Sequence, residues 1–298
     1  MSPDERYLHR CFQLARLGAG SVSPNPLVGA VLVHNGRIIG EGWHRQFGAA
    51  HAEVNALATV APEDRHLIPQ ATLYCSLEPC SHQGKTPPCA DLIVREKIAR
   101  VVVSNTDPNP LVAGQGLEKL RAAGIPVEAS VLQREGYELN RPFFTWITQK
   151  RPYIILKWAE SADGFLGRIG QRTSVSGPLA QRLVHRWRSE ADAILVGAAT
   201  ARVDDPRLDN RLYFGKSPLR IALDFRSKLP PDAHLLDDSA PTWILGPGRP
   251  GNWQHTRFLP LGNPGETASD WIPGLLEQLR TDQKAILLVE GGASVLQQ

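Results

Sequence analysis

The sequence predicts an α/β protein of two domains. Short apolar runs alternate with amphipathic helical stretches along most of the chain, a pattern that puts strands in a largely parallel sheet with helices packed on it. The 298 residues exceed what a single hydrophobic core ordinarily serves. At Lys150-Arg151-Pro152 one series of elements ends and another begins, which sets a first domain over 1–148 and a second over 152–298.

The elements follow in order. Ser2-Pro3-Asp4-Glu5 is a capping box with proline at the first helical position, and Leu8, Cys11, Phe12, Leu14 and Ala15 then fall on one stripe, so Cys11 reads as core. Val28 to His34 and Arg37 to Gly42, joined by Asn35-Gly36, predict a β-hairpin, because Asn-Gly supplies the two positive φ angles of a type I′ turn. Alternation then gives helices over 51–60, 90–98 and 116–123 and strands over 71–77, 100–104 and 127–131, followed by an amphipathic stretch over 133–149. The second domain reads as strands over 153–158, 193–196, 219–224, 242–245 and 285–289 with helices over 178–190 and 269–280. Asp204-Asp205-Pro206 reads as the close of an apolar strand region, and Glu290 to Ser294 as a strand-to-helix turn.

Composition narrows the function classes. With 33 basic and 30 acidic residues the formal charge is +3, too small to argue for nucleic acid. The 24 prolines and 26 glycines follow no period and signify turns. The charged start MSPDERYLHR does not read as a signal peptide, and no run of 18 uncharged apolar residues occurs, so the expectation is a soluble cytoplasmic protein with reduced thiols and no membrane partner. Three of the four cysteines fall in YCSLEPCSHQGKTPPC, residues 74–89. In a reducing compartment, clustered cysteines near a histidine point to metal or catalysis.

His51-Ala52-Glu53 lies upstream of that stretch, and Pro79-Cys80 and Cys89 lie within it. One histidine and two cysteines make three ligands, the count of a catalytic zinc site that keeps a position for water. His-x-Glu followed by Pro-Cys is the signature of zinc deaminases of nucleobases, in which the glutamate carries the proton and is no ligand. Alternatives stand beside this. Cys75 as fourth ligand would make the site structural, although strand alternation turns Cys75 and Leu77 away from Tyr74 and Ser76 and toward the core. His44 reads either as a surface histidine or as part of the site, and His82 is a further potential ligand.

Eight residues separate Cys80 from Cys89, against two in the usual signature. The insert SHQGKTPP resembles that of the deaminase half of the bifunctional riboflavin-biosynthesis family RibD. Ser23-Pro24-Asn25-Pro26-x-Val28-Gly29, Gly42-x-His44 and His51-Ala52-Glu53-Val54 extend the resemblance over most of residues 20–105. It implies a cytidine-deaminase-like α/β/α domain with one zinc on His51, Cys80 and Cys89. Glu53 would shuttle the proton, Asn25 and His44 would hold a pyrimidine, and Lys85 would reach toward a phosphate. The implied substrate is 2,5-diamino-6-ribosylamino-pyrimidinone 5′-phosphate, deaminated at carbon 2.

In the second half no Gly-x-Gly-x-x-Gly follows a strand, so a Rossmann site is unsupported. Glu290-Gly291-Gly292 after an apolar strand is either a plain turn or a place where phosphate approaches the backbone. Lys157-x-Ala159-x-Ser161-x-Asp163-Gly164, Thr200, Asp204-Asp205-Pro206-x-Leu208 and Val289 to Gly292 resemble the reductase half of the same family. The resemblance implies a dihydrofolate-reductase-like α/β domain that binds NADPH through Ala159, Thr200, Asp204, Gly291 and Gly292. Arg188, Leu208, Arg211, Glu290 and Lys157 would face the substrate; Lys157 reads equally as a strand-edge lysine. Gly170 to Ser174 departs from the family's Gly-x-Ser-x-Trp, and the family's last strands and helix are lacking, which would leave an unpaired sheet edge; either the sequence is a fragment, or the reductase half is impaired and the deaminase alone is active. The family further implies a dimer or tetramer. Two other readings are a deaminase of nucleosides or tRNA bases, which the small net charge disfavours, and a zinc-stabilised binding module, which Glu53 disfavours.

Overall fold

Ser2 accepts the Glu5 amide at 3.2 Å while the Glu5 carboxylate takes the Ser2 amide at 2.7 Å, so helix α1 (Pro3–Arg16) opens on the capping box that the sequence predicts. In this computed structural model, which describes residues 1–82, 87–110, 112–168, 170–262 and 267–296, α1 begins the first of two compact units, Met1–Lys150 and Arg151–Gln298.

In the first unit β1 (Gly29–His34) and β2 (Arg37–Trp43) form the hairpin, with φ of 47° at Asn35 and 78° at Gly36. Helix α2 (Ala52–Ala58), a 3-10 segment (Pro62–Gln70), β3 (Thr72–Leu77), α3 (Cys89–Arg95), β4 (Arg100–Asn105), α4 (Gln115–Ala122) and β5 (Val127–Glu128) follow, then α5 (Gln133–Leu139) and α6 (Arg141–Thr148). The sheet order is β2-β1-β3-β4-β5, antiparallel through β3 and parallel from β3 to β5. Strand alternation sorts the core. Ala30, Leu32, Leu73, Cys75, Val101 and Val103 pack with residues of α2, α3 and α4, while Val31, Val33, Tyr74 and Val102 pack with Tyr7, Leu8, Cys11 and Leu14 of α1.

The second unit holds β6 (Tyr153–Leu156), α7 (Pro178–Glu190), β7 (Ala193–Val196), α8 (Ala198–Asp204), β8 (Leu219–Leu223), a 3-10 turn (His234–Leu236), β9 (Thr242–Leu245), β10 (Thr256–Leu259), α9 (Ala268–Thr281), β11 (Ile286–Val289) and α10 (Ala293–Leu296). Its strands run in the order β10-β9-β8-β7-β11-β6, every pair parallel. Leu195, Ile221, Trp243 and Val289 face Trp271, Leu275 and Leu279 of α9; Ile194, Val196, Ala222, Ile244 and Leu288 fill the opposite face with Ala201 of α8. Burial on both faces is why these strands read as continuous apolar runs.

The structure departs from the sequence reading in five places. The strand expected over 127–131 ends at Glu128, because Ser130 and Leu132 turn the chain with φ of 67° and 55°. The stretch 133–149 is two helices, broken at Asn140 ahead of Pro142, which has no N–H to continue the first. The strand expected to reach Trp158 stops at Leu156, and Trp158 is exposed. The segment before Asp205 is a helix, α8, and β10 was not expected at all.

Helix α2, which begins directly after His51, lies close against β2 because two glycines face it. A Cβ on Gly42 would fall 2.4 Å from the Ala56 amide nitrogen, and one on Gly40 2.5 Å from the Ala56 carbonyl oxygen. Gly42→Ala therefore forces α2 off the sheet at a cost of roughly 1–3 kcal/mol. The expected outcome is a lower Tm in calorimetry and a weakened zinc affinity in chelator competition; an unchanged affinity would show that α2 does not set the ligand positions.

Candidate active sites

The helices that follow β2 and β3 in the first unit, α2 and α3, start at one place. His51 is the N-cap of α2 and Cys89 the first residue of α3, while Cys80 lies three residues past the end of β3. Their donor atoms all fall within 4.8 Å of one another. His51 Nδ1 stands 3.5 Å from Cys80 Sγ and 3.3 Å from Cys89 Sγ, and the Cys89 amide donates to Cys80 Sγ at 3.3 Å. The Cys89 thiol and His51 pull Cys80 down to about 4, whereas Cys89, hydrogen-bonded to that thiolate and buried, is pushed up. Two soft thiolates and one imidazole are a donor set that fits zinc, and three protein donors leave a coordination position for water.

Glu53 is the second residue of α2, 3% exposed, and among the described residues its Oε2 has no hydrogen-bond partner. Burial raises its carboxyl above the ordinary value, with the Cys80 charge adding to the shift. It lines a cavity of about 360 Å³ together with Asn25, His44, His51 and Cys80. His44 is a buried part of this wall and no surface residue: Nδ1 meets the Ala50 carbonyl at 3.1 Å and so carries the proton, and Nε2 accepts from Asn25 Nδ2 at 3.2 Å. Burial holds its pKa below the usual histidine value. Cys75 is buried in the core among Ala30, Leu73 and Val103, outside the ligand cluster. His82 reaches the cavity wall without joining that cluster, and Lys85 lies outside the described residues.

Sequence reasoning missed the other wall. Glu78, Asp107, Asn109, Val112, Phe143, Trp146 and Ile147 also line the cavity, and burial pushes Asp107 up to about 6. Asp107-Pro108-Asn109-Pro110, a turn-forming run between a strand and a helix, was the one signal available.

In the second unit the sites gather at the C-terminal ends of β6, β7 and β11, where open parallel sheets bind ligands. A cavity of about 590 Å³ is lined by Lys157, Ala159, Thr200, Asp204, Glu290, Gly291 and Gly292, and by Gly170 to Ser174. A Cβ on Gly291 would fall 2.6 Å from Val295 Cβ and one on Gly292 3.1 Å from Thr200 Oγ1, so both glycines let Val295 and Thr200 pack closely against this turn. A second cavity, about 390 Å³, holds Arg172, Arg188, Arg207, Leu208, Arg211 and His234. Glu290 grips Arg188 at 2.8 and 2.9 Å and stands 3.8 Å from Lys157. Arg211 pairs with Asp209, whereas Arg172 and Arg207, which sequence reasoning also missed, have no carboxylate within 4.0 Å among the described residues. Arg172 lines both cavities; it stands in the segment that departs from Gly-x-Ser-x-Trp.

The thiol arrangement has a direct readout. After zinc is stripped with a chelator, Cys80 is a thiolate at every pH above about 4, so its alkylation by iodoacetamide is expected to stay flat from pH 6 to 9. An ordinary thiol would accelerate roughly tenfold per unit up to about pH 8.5. Cys11 and Cys75, buried and shifted upward, should react only on unfolding. Peptide mapping of the alkylated protein decides; a steep pH dependence at Cys80 would refute the charge assignment.

Comparison with known proteins agrees with this architecture. Residues 1–105 match the cytidine and deoxycytidylate deaminase zinc-binding region, and residues 152–298 match the RibD C-terminal domain. The chain is 45% identical to riboflavin biosynthesis protein RibD of Aquifex aeolicus, over 81% of this chain and 68% of that protein. It is 41% identical to the RibD of Bacillus amyloliquefaciens, over 98% and 79%. Among solved structures it superposes with a TM-score of 0.86, at 36% identity, on a diaminohydroxyphosphoribosylaminopyrimidine deaminase/5-amino-6-(5-phosphoribosylamino)uracil reductase from Thermotoga maritima, covering 99% of this chain and 82% of that one. With its zinc-site deaminase domain, its reductase domain and identity at this level over nearly its whole length, the chain belongs to the RibD family of riboflavin biosynthesis proteins.

Proposed function

We propose that the chain converts 2,5-diamino-6-ribosylamino-pyrimidinone 5′-phosphate in two steps, hydrolytic deamination at ring carbon 2 and then reduction of the ribosyl group to ribityl. The observation that carries the first step is the unpartnered, buried Glu53 oxygen beside the converging His51, Cys80 and Cys89. Those three residues would hold zinc, which when bound would supply water activated at neutral pH. Glu53 takes a proton from that water and hands it to the exocyclic nitrogen; a C–O bond forms at the ring carbon, the C–N bond breaks and ammonia leaves. Its raised pKa keeps the carboxyl able to do both. Asn25 and the neutral His44 orient the ring, and Lys85 is read as a phosphate contact.

For the second step, the turn of Gly291 and Gly292 with Ala159, Thr200 and Asp204 fits NADPH, which supplies hydride when bound. Arg188, Leu208 and Arg211 face the substrate together with Lys157 and Glu290 of the larger cavity. Guanidinium groups suit the phosphate because they present paired donors. A homo-oligomer and a cytoplasmic location belong to the same reading. The exposed Trp158, Phe165, Leu179 and Phe214 support the first, and four free thiols the second. The small net charge supports a small-molecule substrate over nucleic acid.

Glu53→Gln separates catalysis from metal binding: ammonia release should fall by about 10²–10⁴-fold with zinc still bound at one per chain. Retention of full activity would overturn the proton-carrier role. Supplying the deaminated phosphoribosyl intermediate and following NADPH absorbance tests the other half. Substrate-dependent oxidation is expected; none, with ammonia still released from the diamino compound, would leave the chain a deaminase only.

A further inference from the structure

We infer that Glu78 is a positioning residue of the deaminase half, tying the turn that carries Cys80 to the loop forming the far wall of the cavity. This rests on the deaminase reading above. Glu78 lies between β3 and Pro79-Cys80 and is 4% exposed. Its carboxylate accepts four main-chain amides: Oε2 from Asp107 at 3.1 Å and Gly114 at 2.9 Å, Oε1 from Gly116 at 2.9 Å and Leu117 at 3.3 Å. Asp107 and Gly114 stand at the two ends of the loop after β4, so one side chain closes that loop.

Gly114, Gly116 and Leu117 are the N-cap and the second and third residues of α4, whose amides lack intrahelical partners. The N-cap is a glycine and α4 has no side-chain cap of its own, so Glu78 caps it from a distant part of the chain. A negative group there also meets the positive end of the helix dipole. Among the described residues no lysine or arginine lies within ion-pair distance of Glu78, so these amides are what balances its charge. The junction is tight from the helix side too, since a Cβ on Gly116 would fall 2.1 Å from the Pro79 carbonyl oxygen.

The tie bears on the reaction through what the loop carries. Asp107, Asn109 and Val112 line the cavity, and Asp107 Oδ1 accepts the Asn109 main-chain N–H at 2.8 Å, which fixes the Asp107 side chain against the loop backbone. Both Glu78 oxygens are occupied by main-chain amides. Glu78 therefore acts by placing the wall; contact with substrate falls to the residues it places.

Glu78→Gln puts an amide donor against amide donors. In the zinc-loaded full chain, KM for the diamino substrate is expected to rise about tenfold or more, within the hundredfold that a misplacement of about 1 Å can cost, with zinc unchanged at one per chain. Glu78→Asp, which keeps the charge on a shorter arm, should recover part of the loss. An unchanged KM with kcat falling only in step with the folded fraction would reduce Glu78 to a stability role and overturn the inference. Hydrogen exchange on the unaltered chain decides it even if the variants fail to fold. The amides of Asp107, Gly114, Gly116 and Leu117 should exchange slowly and as a group; exchange at open-chain rates would overturn the tie. Absence of deamination by the unaltered chain would refute the reaction proposed above and leave this exchange result to stand or fall by itself.

Discussion

Everything in the first unit depends on bringing three donor atoms from separate chain segments to within 4.8 Å of one another. Main-chain geometry does most of this. Strand β3 delivers Cys80, and α2 and α3 each place a ligand at or just before their first residue, where the backbone is fixed by the helix behind it. The helices in turn are held by the sheet: α2 reaches its depth because β2 presents Gly40 and Gly42 to it, and α3 through Ala90 and Ile93 in the shared core. A site on regular elements is held more exactly than one on loops. That precision matters for soft ligands that must meet at one point.

Three carboxylates around that point show how surroundings assign roles to one chemical group. Glu53 is buried with an oxygen left unpaired, and its carboxyl rises. Asp107, half-buried, keeps one amide partner and is pushed up to about 6 by desolvation. Glu78 spends both oxygens on main-chain donors. The first is suited to moving a proton, the last to holding shape. Number and kind of hydrogen bonds, more than distance from the ligands, make the distinction.

Much of this was legible in the sequence, for physical reasons that differ by residue. The capping box and Asn35-Gly36 act over a few residues, so local rules sufficed. Alternation in β3 separates Cys75 from Tyr74, and each packs in its own cluster on one of the sheet's two buried faces. His51, Cys80 and Cys89 were found by residue type and spacing. What was missed depends on partners distant in the chain. Asn140 ends α5 while its side chain exchanges hydrogen bonds with the Leu27 main chain at 2.8 and 2.9 Å, and nothing near residue 140 announces that. The four amides that hold Glu78 come from residues 29 to 39 positions later. Helix α8 was mistaken because Ala198, Ala199 and Ala201 are small and apolar in either state, and packing of Ala201 in one cluster with Ile194 and Leu288 decides.

In the second unit the fork between Arg188 and Glu290 has a meaning for the resting protein. Arg188 is only 11% exposed and Glu290 8%, so neither charge is well served by water. Each neutralises the other, and the cleft is able to hold its shape while empty. An anion that enters and engages Arg188 becomes a competitor of Glu290. The carboxylate it displaces has Lys157 at 3.8 Å as its next partner. For such an anion, binding would be an exchange of counterions within a fixed set of charges, in which affinity is a difference between two pairings and discrimination favours the guest that pairs better than the protein's own acid.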